Sequence, residues 1–113
     1  MENTKLQLQN ELDNYISGKS EFIPYYEGMN ILSSSLYKKQ LNGILKEESD
    51  VKYFEMYLDT IIINMHTKVK KYKKSIYFEN ENIKDIENQG YTIPFYVDES
   101  KKIYVLLGIL KTS

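Results

Sequence analysis

The chain of 113 residues has no cysteine, no tryptophan and no arginine, with a single histidine and two prolines. Without cysteine, disulfides, thiol catalysis and thiolate metal sites are excluded. One histidine, His66, is too few for a histidine-built zinc centre, so neither a metal nor a cofactor is expected. No Gly-x-Gly-x-x-Gly, Walker-type loop, Gly-x-Ser-x-Gly or His-Glu-x-x-His occurs, so nucleotide-, serine- and zinc-dependent enzymes leave no signal. The missing arginine also removes the guanidinium fork that grips phosphate in bidentate fashion. Long apolar runs are absent too. The longest, Ile103 to Leu110, falls far short of the roughly 20 residues of a membrane-spanning helix. Met1 to Lys5 lacks the charged-then-apolar layout of a signal peptide, so a cytoplasmic protein without a membrane partner is expected.

What is present suits one globular domain over residues 1–113: 42% apolar and 27% charged residues at a length too short for two ordinary domains. The formal charge of −1 gives no overall pull toward nucleic acid, so any such attraction must come from a local patch.

Asn3 or Thr4 can cap a first helix carrying Leu8, Leu12 and Tyr15/Ile16 and ending near Ser17-Gly18. Glu21 to Tyr26 is β-prone, held by Pro24 to an edge or an extended segment. Ser33, Ser34 and Ser35 offer caps for a second helix with Leu36, Tyr37, Leu41, Ile44 and Leu45, weakened at Gly43. Asp50 can cap the strongest element. There Val51, Phe54, Leu58, Ile61, Met65, Val69 and Tyr72 recur at gaps of three and four, predicting one helix of about six turns. Tyr57 and Ile62 widen its stripe.

After Lys74 the period becomes two. Ser75 to Glu79 reads as a strand and Asn80 to Gln89 as a loop. The acids Glu79, Glu81, Asp85 and Glu87 do not have the spacing of a calcium loop. Tyr91, Ile93, Phe95 and Val97 share one strand face, and Thr92, Pro94, Tyr96 and Asp98 the other. Asp98-Glu99-Ser100 makes a hairpin turn, and Ile103 to Leu110 is apolar on both faces, as a central strand would be. The predicted class is α+β, with N-terminal helices including a helical hairpin, followed by a C-terminal antiparallel sheet of three to four strands. Phe54, Leu58, Ile61 and Met65 are expected to pack against Ile103 to Leu110.

Lys68, Lys70, Lys71, Lys73 and Lys74, with Tyr72 among them, form a phosphate-contacting patch with a stacking aromatic, suited to RNA or DNA. The plainer alternative is a solvated face whose cations complement the negative end of the long helix. His66, beside the cluster, is a candidate general acid or base, or simply a surface residue.

From Lys73 onward the chain resembles the RelE/ParE toxin superfamily. The resemblance rests on Gln89-Gly90-Tyr91-Thr92-Ile93-Pro94-Phe95-Tyr96-Val97-Asp98, then Lys101-Lys102-Ile103-Tyr104-Val105-Leu106-Leu107-Gly108-Ile109-Leu110-Lys111. In that family a glycine-aromatic step opens a strand running to an acidic turn, and an aliphatic strand ends in a basic tail. The resemblance implies a first strand near Glu21 to Tyr26, a helical hairpin between Ser35 and Tyr72, and a toxin acting on translation or another central bacterial target. It also implies a small antitoxin partner, with RNA or the ribosome as target, and makes Tyr91, Tyr96 and Lys111 catalytic candidates beside His66. Thr92 stands where RelE-like toxins commonly have arginine, and the chain reaches Ser113 without their C-terminal tyrosine, so weak or no intrinsic nuclease activity is expected. Small size, slight acidity and eleven tyrosines also fit a different class: a non-catalytic phage or mobile-element protein that inhibits a host defence complex, as an anti-CRISPR inhibitor does.

Overall fold

In the computed structural model, which describes residues 2–18, 22–25 and 30–111, helix α1 (Glu2–Ser17) ends at Gly18. Gly18 has a φ of 71°, left-handed geometry that glycine adopts without the steric cost a Cβ would bring. Asn3 and Thr4, expected at the cap position, lie inside the first turn of α1. Of the β-prone segment, Glu21 and Tyr26 fall outside the described residues, while Ile23–Pro24 forms the short strand β1. Strand β2 (Ile31–Ser33) follows, and then helix α2 (Ser35–Glu47), opened by Ser34, whose hydroxyl accepts from Tyr37 N at 3.0 Å. Asp50 caps helix α3 (Val51–Asn64) in the same way, accepting from Tyr53 N at 3.1 Å.

The long helix stops early. It ends at Asn64 and gives way to two 3-10 turns, Met65–Thr67 and Val69–Lys71, so the expected six-turn helix is shorter by about two turns. Side chains compete for the backbone there: Asn64 Nδ2 donates to Thr60 O and Thr67 Oγ1 donates to Asn64 O, each at 2.8 Å. These bonds satisfy terminal carbonyls that a longer helix would have used.

Four more strands complete the sheet: β3 (Ile83–Asn88), β4 (Tyr91–Asp98), β5 (Ile103–Leu106) and β6 (Leu110–Lys111). Among the described residues the sheet has six strands in the order β1-β2-β5-β4-β3, with β6 pairing further along β4. It is mixed, not antiparallel, because β2 runs parallel to β5. The sequence reading spent Ser33 on helix capping and so missed β2. A parallel neighbour requires a long crossover, and α2 and α3 lie on the path that supplies it.

The strand expected at Ser75 to Glu79 is displaced as well. That segment turns back on itself, Ser75 Oγ accepting from Tyr77 N, and it meets β3 through one isolated bridge, Lys74 to Lys84, with Ser75 N donating to Ile83 O and Ile76 N to Asp85 Oδ2. The strand lies instead where a loop was expected. Ile83 and Ile86 point to opposite faces of β3, one anchor each, and its polar remainder suits a strand at the sheet margin.

Apolar residues fill both sides of the sheet. On one, Phe54, Leu58, Ile62 and Met65 meet Ile93, Phe95, Leu106 and Ile109. On the other, Leu8 and Leu12 of α1 meet Ile83, Val105 and Leu107. Phe54, Leu58 and Met65 are buried as expected, but Ile61 is only half-buried and Ile62 takes its place. Strand β4 has its predicted faces, with Ile93 and Phe95 on the α3 side and Tyr96 on the α1 side. Between β5 and β6 the ladder breaks opposite Pro94. Pro94 O accepts from Leu107 N at 2.9 Å, so its missing N–H would have pointed at the same gap. Gly108 sits in that gap, where a Cβ would come within 2.7 Å of both Gln40 Oε1 and Leu8 Cδ2.

The turn after β4 is organised by Asp98. Its Oδ1 accepts from Ser100 Oγ at 2.8 Å and Lys101 N at 3.3 Å, while Oδ2 accepts from Tyr15 OH at 2.8 Å. Burial pushes the Asp98 carboxyl up, but these hydrogen bonds and the Lys101 charge outweigh it and hold the group below the ordinary carboxylate value. A folded pKa below the unfolded value of about 3.9 gives stability that is full above that value and lost as pH falls through the folded pKa. Urea titrations should therefore show Asp98→Asn destabilising at about pH 6, with the gap to wild type narrowing toward about pH 2. A gap that stayed constant would show that the carboxylate's charge plays no part.

Candidate functional site

Beyond Asn64, where α3 stops, the sheet meets the two 3-10 turns instead of a helix. Val97 and Tyr104, partners across β4 and β5, form part of the floor of a groove of about 840 Å³. Lys68, Lys70 and Lys71 reach it from the 3-10 turns, Lys84 from β3 and Lys102 from the β4–β5 turn. Within the turns, half-buried Val69 faces inward while its neighbours Lys68 and Lys70 stay exposed. Lys102 has a φ of 56°, so the hairpin turn itself is left-handed at this lysine. Lys84 Nζ donates to Tyr72 O at 3.3 Å, tying β3 to the turn segment. Among the described residues, the side chains of Lys68, Lys70, Lys71 and Lys102 make no hydrogen bond or ion pair. Three acids, Glu81, Asp98 and Glu99, share the rim, but Asp98 already spends both carboxylate oxygens on Tyr15 and its own turn.

The expected lysine patch is thus divided. Lys73 and Lys74 open onto a separate hollow of about 310 Å³ that also holds Asp85 and Glu87, with Lys71 bordering both. Lys73 is fixed there because its carbonyl accepts from Asp85 N at 3.1 Å. Tyr72 lines that second hollow and does not line the groove. It is half-buried, edge-on to Phe95 at 5.7 Å, and burial raises its hydroxyl pKa. The aromatic that lines the groove is Tyr104.

Tyr91, Tyr96 and Lys111 do not converge. Tyr91 and Lys111 are register partners at the start of β4, six residues and roughly 20 Å along the strand from Val97. Tyr96 lies on the α1 side with its ring 5.9 Å from that of Tyr15. Thr92 is buried. His66 has its backbone in the first 3-10 turn, and its side chain lies outside the described residues. Desolvation raises the Tyr91 hydroxyl pKa, and Glu48 and Glu47 raise it further, so no cation prepares it as a base near neutrality.

Among the described residues, no group of three His, Cys, Asp or Glu is placed to hold a metal, and no helix is long and apolar enough to cross a membrane. Lys84, Lys102 and Tyr104 escaped the sequence reading because tertiary pairing alone brings them to the turn lysines. The one local signal was the Lys101-Lys102 pair in the predicted hairpin turn. Comparison with protein-family models, with curated proteins and with solved structures finds no match.

Proposed function

We propose that this chain is a RelE/ParE-like toxin of a toxin–antitoxin pair that acts by binding RNA within the translation machinery, with little or no cleavage of its own. The observation that carries this reading is the separation of the groove lysines from Tyr91, Tyr96 and Lys111, three of the four candidate catalysts. Five lysines gather at one groove, whereas Tyr91 and Lys111 stand at the other end of β4 and Tyr96 on the opposite face. General acid–base cleavage of RNA needs a base at the 2′-hydroxyl, an acid at the leaving oxygen and cations on the same phosphate. The element order supports the family reading in part: β1 within Glu21 to Tyr26, then α2 and α3, then β3, β4 and β5 follow the order that the resemblance implies, with α1 and β2 additional to it.

The test is a purified translation system given the protein, with transcripts mapped for breaks. Protein synthesis should fall while messages stay intact, and His66→Ala, Tyr91→Phe and Tyr96→Phe should inhibit as wild type does. Cleavage abolished by one of these substitutions would restore a ribonuclease; synthesis that never falls would remove the toxin reading.

One observation favours the inhibitor class. Tyr53, Met56 and Tyr57 are exposed on the outer face of α3, and the two tyrosine rings lie 4.7 Å apart, the kind of rigid aromatic surface that protein partners use. A small neighbouring antitoxin gene favours the toxin; a regulator gene in a phage lysogeny region favours the inhibitor.

A further inference from the structure

We infer that the groove beyond α3 is a pocket for one nucleotide unit, with Tyr104 as the platform for the base and Lys68, Lys70, Lys71, Lys84 and Lys102 as the phosphate contacts. For its cellular ligand this rests on the RNA-binding reading above, but the pocket chemistry is stated independently of it. Three features carry the argument.

The first is shape. Ligand pockets run from roughly 300 to 1,000 Å³, and a groove of about 840 Å³ has room for a base, a sugar and its flanking phosphates. It lies beyond the end of α3, with the half-buried Val97–Tyr104 pair among its lining.

The second is the distribution of polarity. The apolar side chains on the groove's side of the sheet are Val97 and Tyr104, with Val69 beside them on the turn segment, while the lysines come from three separate elements around it. An apolar floor inside a rim of five lysines and three acids, Asp98 already engaged, matches a ligand that is itself a flat ring carrying negative charge at one end. A simple anion would leave the floor unused, and a plain hydrophobe would leave the lysines unpaired. Tyr104 is half-buried and held against the edge of Phe95, with ring centroids 6.4 Å apart, so its ring is set before any ligand arrives. Stacking on a fixed ring tolerates every base, because each has a π-face.

The third is that no lysine of the set except Lys84 has a side-chain partner among the described residues, and Lys84 meets only a carbonyl. The positive charge therefore stays available. Lys73 and Lys74 lie outside the groove, in the hollow with Asp85 and Glu87. This divides the lysine run into a part that lines the groove and a part that does not.

The experiment titrates the protein with two probes, a fluorescent single-stranded RNA pentamer and a free nucleoside triphosphate, at several salt concentrations. Tyr104→Leu should weaken binding by about tenfold or more, while Tyr104→Phe keeps the platform and the affinity. The double change Lys84→Gln with Lys102→Gln should flatten the salt dependence by about 1.4 in log–log slope, and Lys73→Gln with Lys74→Gln should leave it unchanged. Binding of the strand alone makes the unit part of a polynucleotide, and competition by the triphosphate makes it a free nucleotide. Either supports the pocket. Affinity that survives Tyr104→Leu, a loss that follows Lys73 and Lys74, or no binding of either probe overturns it. Translation arrest that persists in the Tyr104→Leu protein would sink the pocket and leave the toxin reading standing. Groove-dependent nucleotide binding with no effect on translation would do the reverse.

Discussion

Leu58→Ala is expected to cost about 2–5 kcal/mol of unfolding free energy, a large share of what a domain of this size holds. Leu58 sits in the middle of α3, 1% exposed, one turn from Phe54 on one side and Ile62 on the other. Its side chain belongs to the cluster that includes Ile93, Phe95 and Leu106 from the two central strands. Truncation removes apolar burial and leaves a cavity that neighbours on a regular sheet and a regular helix cannot readily close. The neighbouring substitution Tyr57→Ala is the control, because Tyr57 is 44% exposed on the outer face of the same helix. It should fall within about 0.5 kcal/mol of wild type. Urea denaturation of the three proteins decides the matter. A Leu58→Ala loss no larger than that of the control would mean that α3 does not anchor the fold on this side of the sheet.

That stripe was the most legible feature of the chain, and the reason is physical. A helix face that buries one side repeats every three to four residues whatever surrounds it, so Phe54, Leu58 and Met65 announce themselves. Strand β4 was legible for the same reason at period two. What escaped was set by long-range pairing or by side-chain competition. Ile31, Leu32 and Ser33 form a strand because β5 and β1 are there to pair with, and three residues carry no period of their own. Strand β3 reads as a loop because each face receives a single isoleucine while its other residues are polar. The early end of α3 depends on Asn64 and Thr67 reaching backbone carbonyls, while the apolar period runs on through Val69 and Tyr72 in 3-10 form. The candidate site suffered most from that last point. Five lysines between 68 and 74 looked like one patch on a helix end, but the chain turns between Lys71 and Lys73 and separates them. Lys84 and Lys102, which replace the two lost members, come from positions that only the sheet brings near.

Phe95→Ala should be the most damaging single truncation, at about 3–5 kcal/mol, and it should damage the groove together with the fold. Phe95 is fully buried in β4, flanked by Lys84 in β3 and Leu106 in β5, so no strand edge is open to absorb the change. Its ring touches two others edge-on, Tyr72 at 5.7 Å and Tyr104 at 6.4 Å. Such edge contacts contribute about 0.5–1.5 kcal/mol each beyond the area buried. Tyr72 belongs to the segment that follows the groove lysines and accepts the Lys84 hydrogen bond; Tyr104 is the groove floor. Removing the ring between them frees both at once. Phe95→Leu refills most of the volume without the ring edge, so it should recover most of the stability while leaving the two tyrosines less fixed. Urea denaturation reads the first effect, and near-ultraviolet circular dichroism of the tyrosines reads the second. If Phe95→Leu restored the aromatic signal completely, the ring contacts would be incidental and volume alone would hold the groove floor. A Phe95→Ala protein that kept both stability and signal would mean that β4 is not the centre of the core.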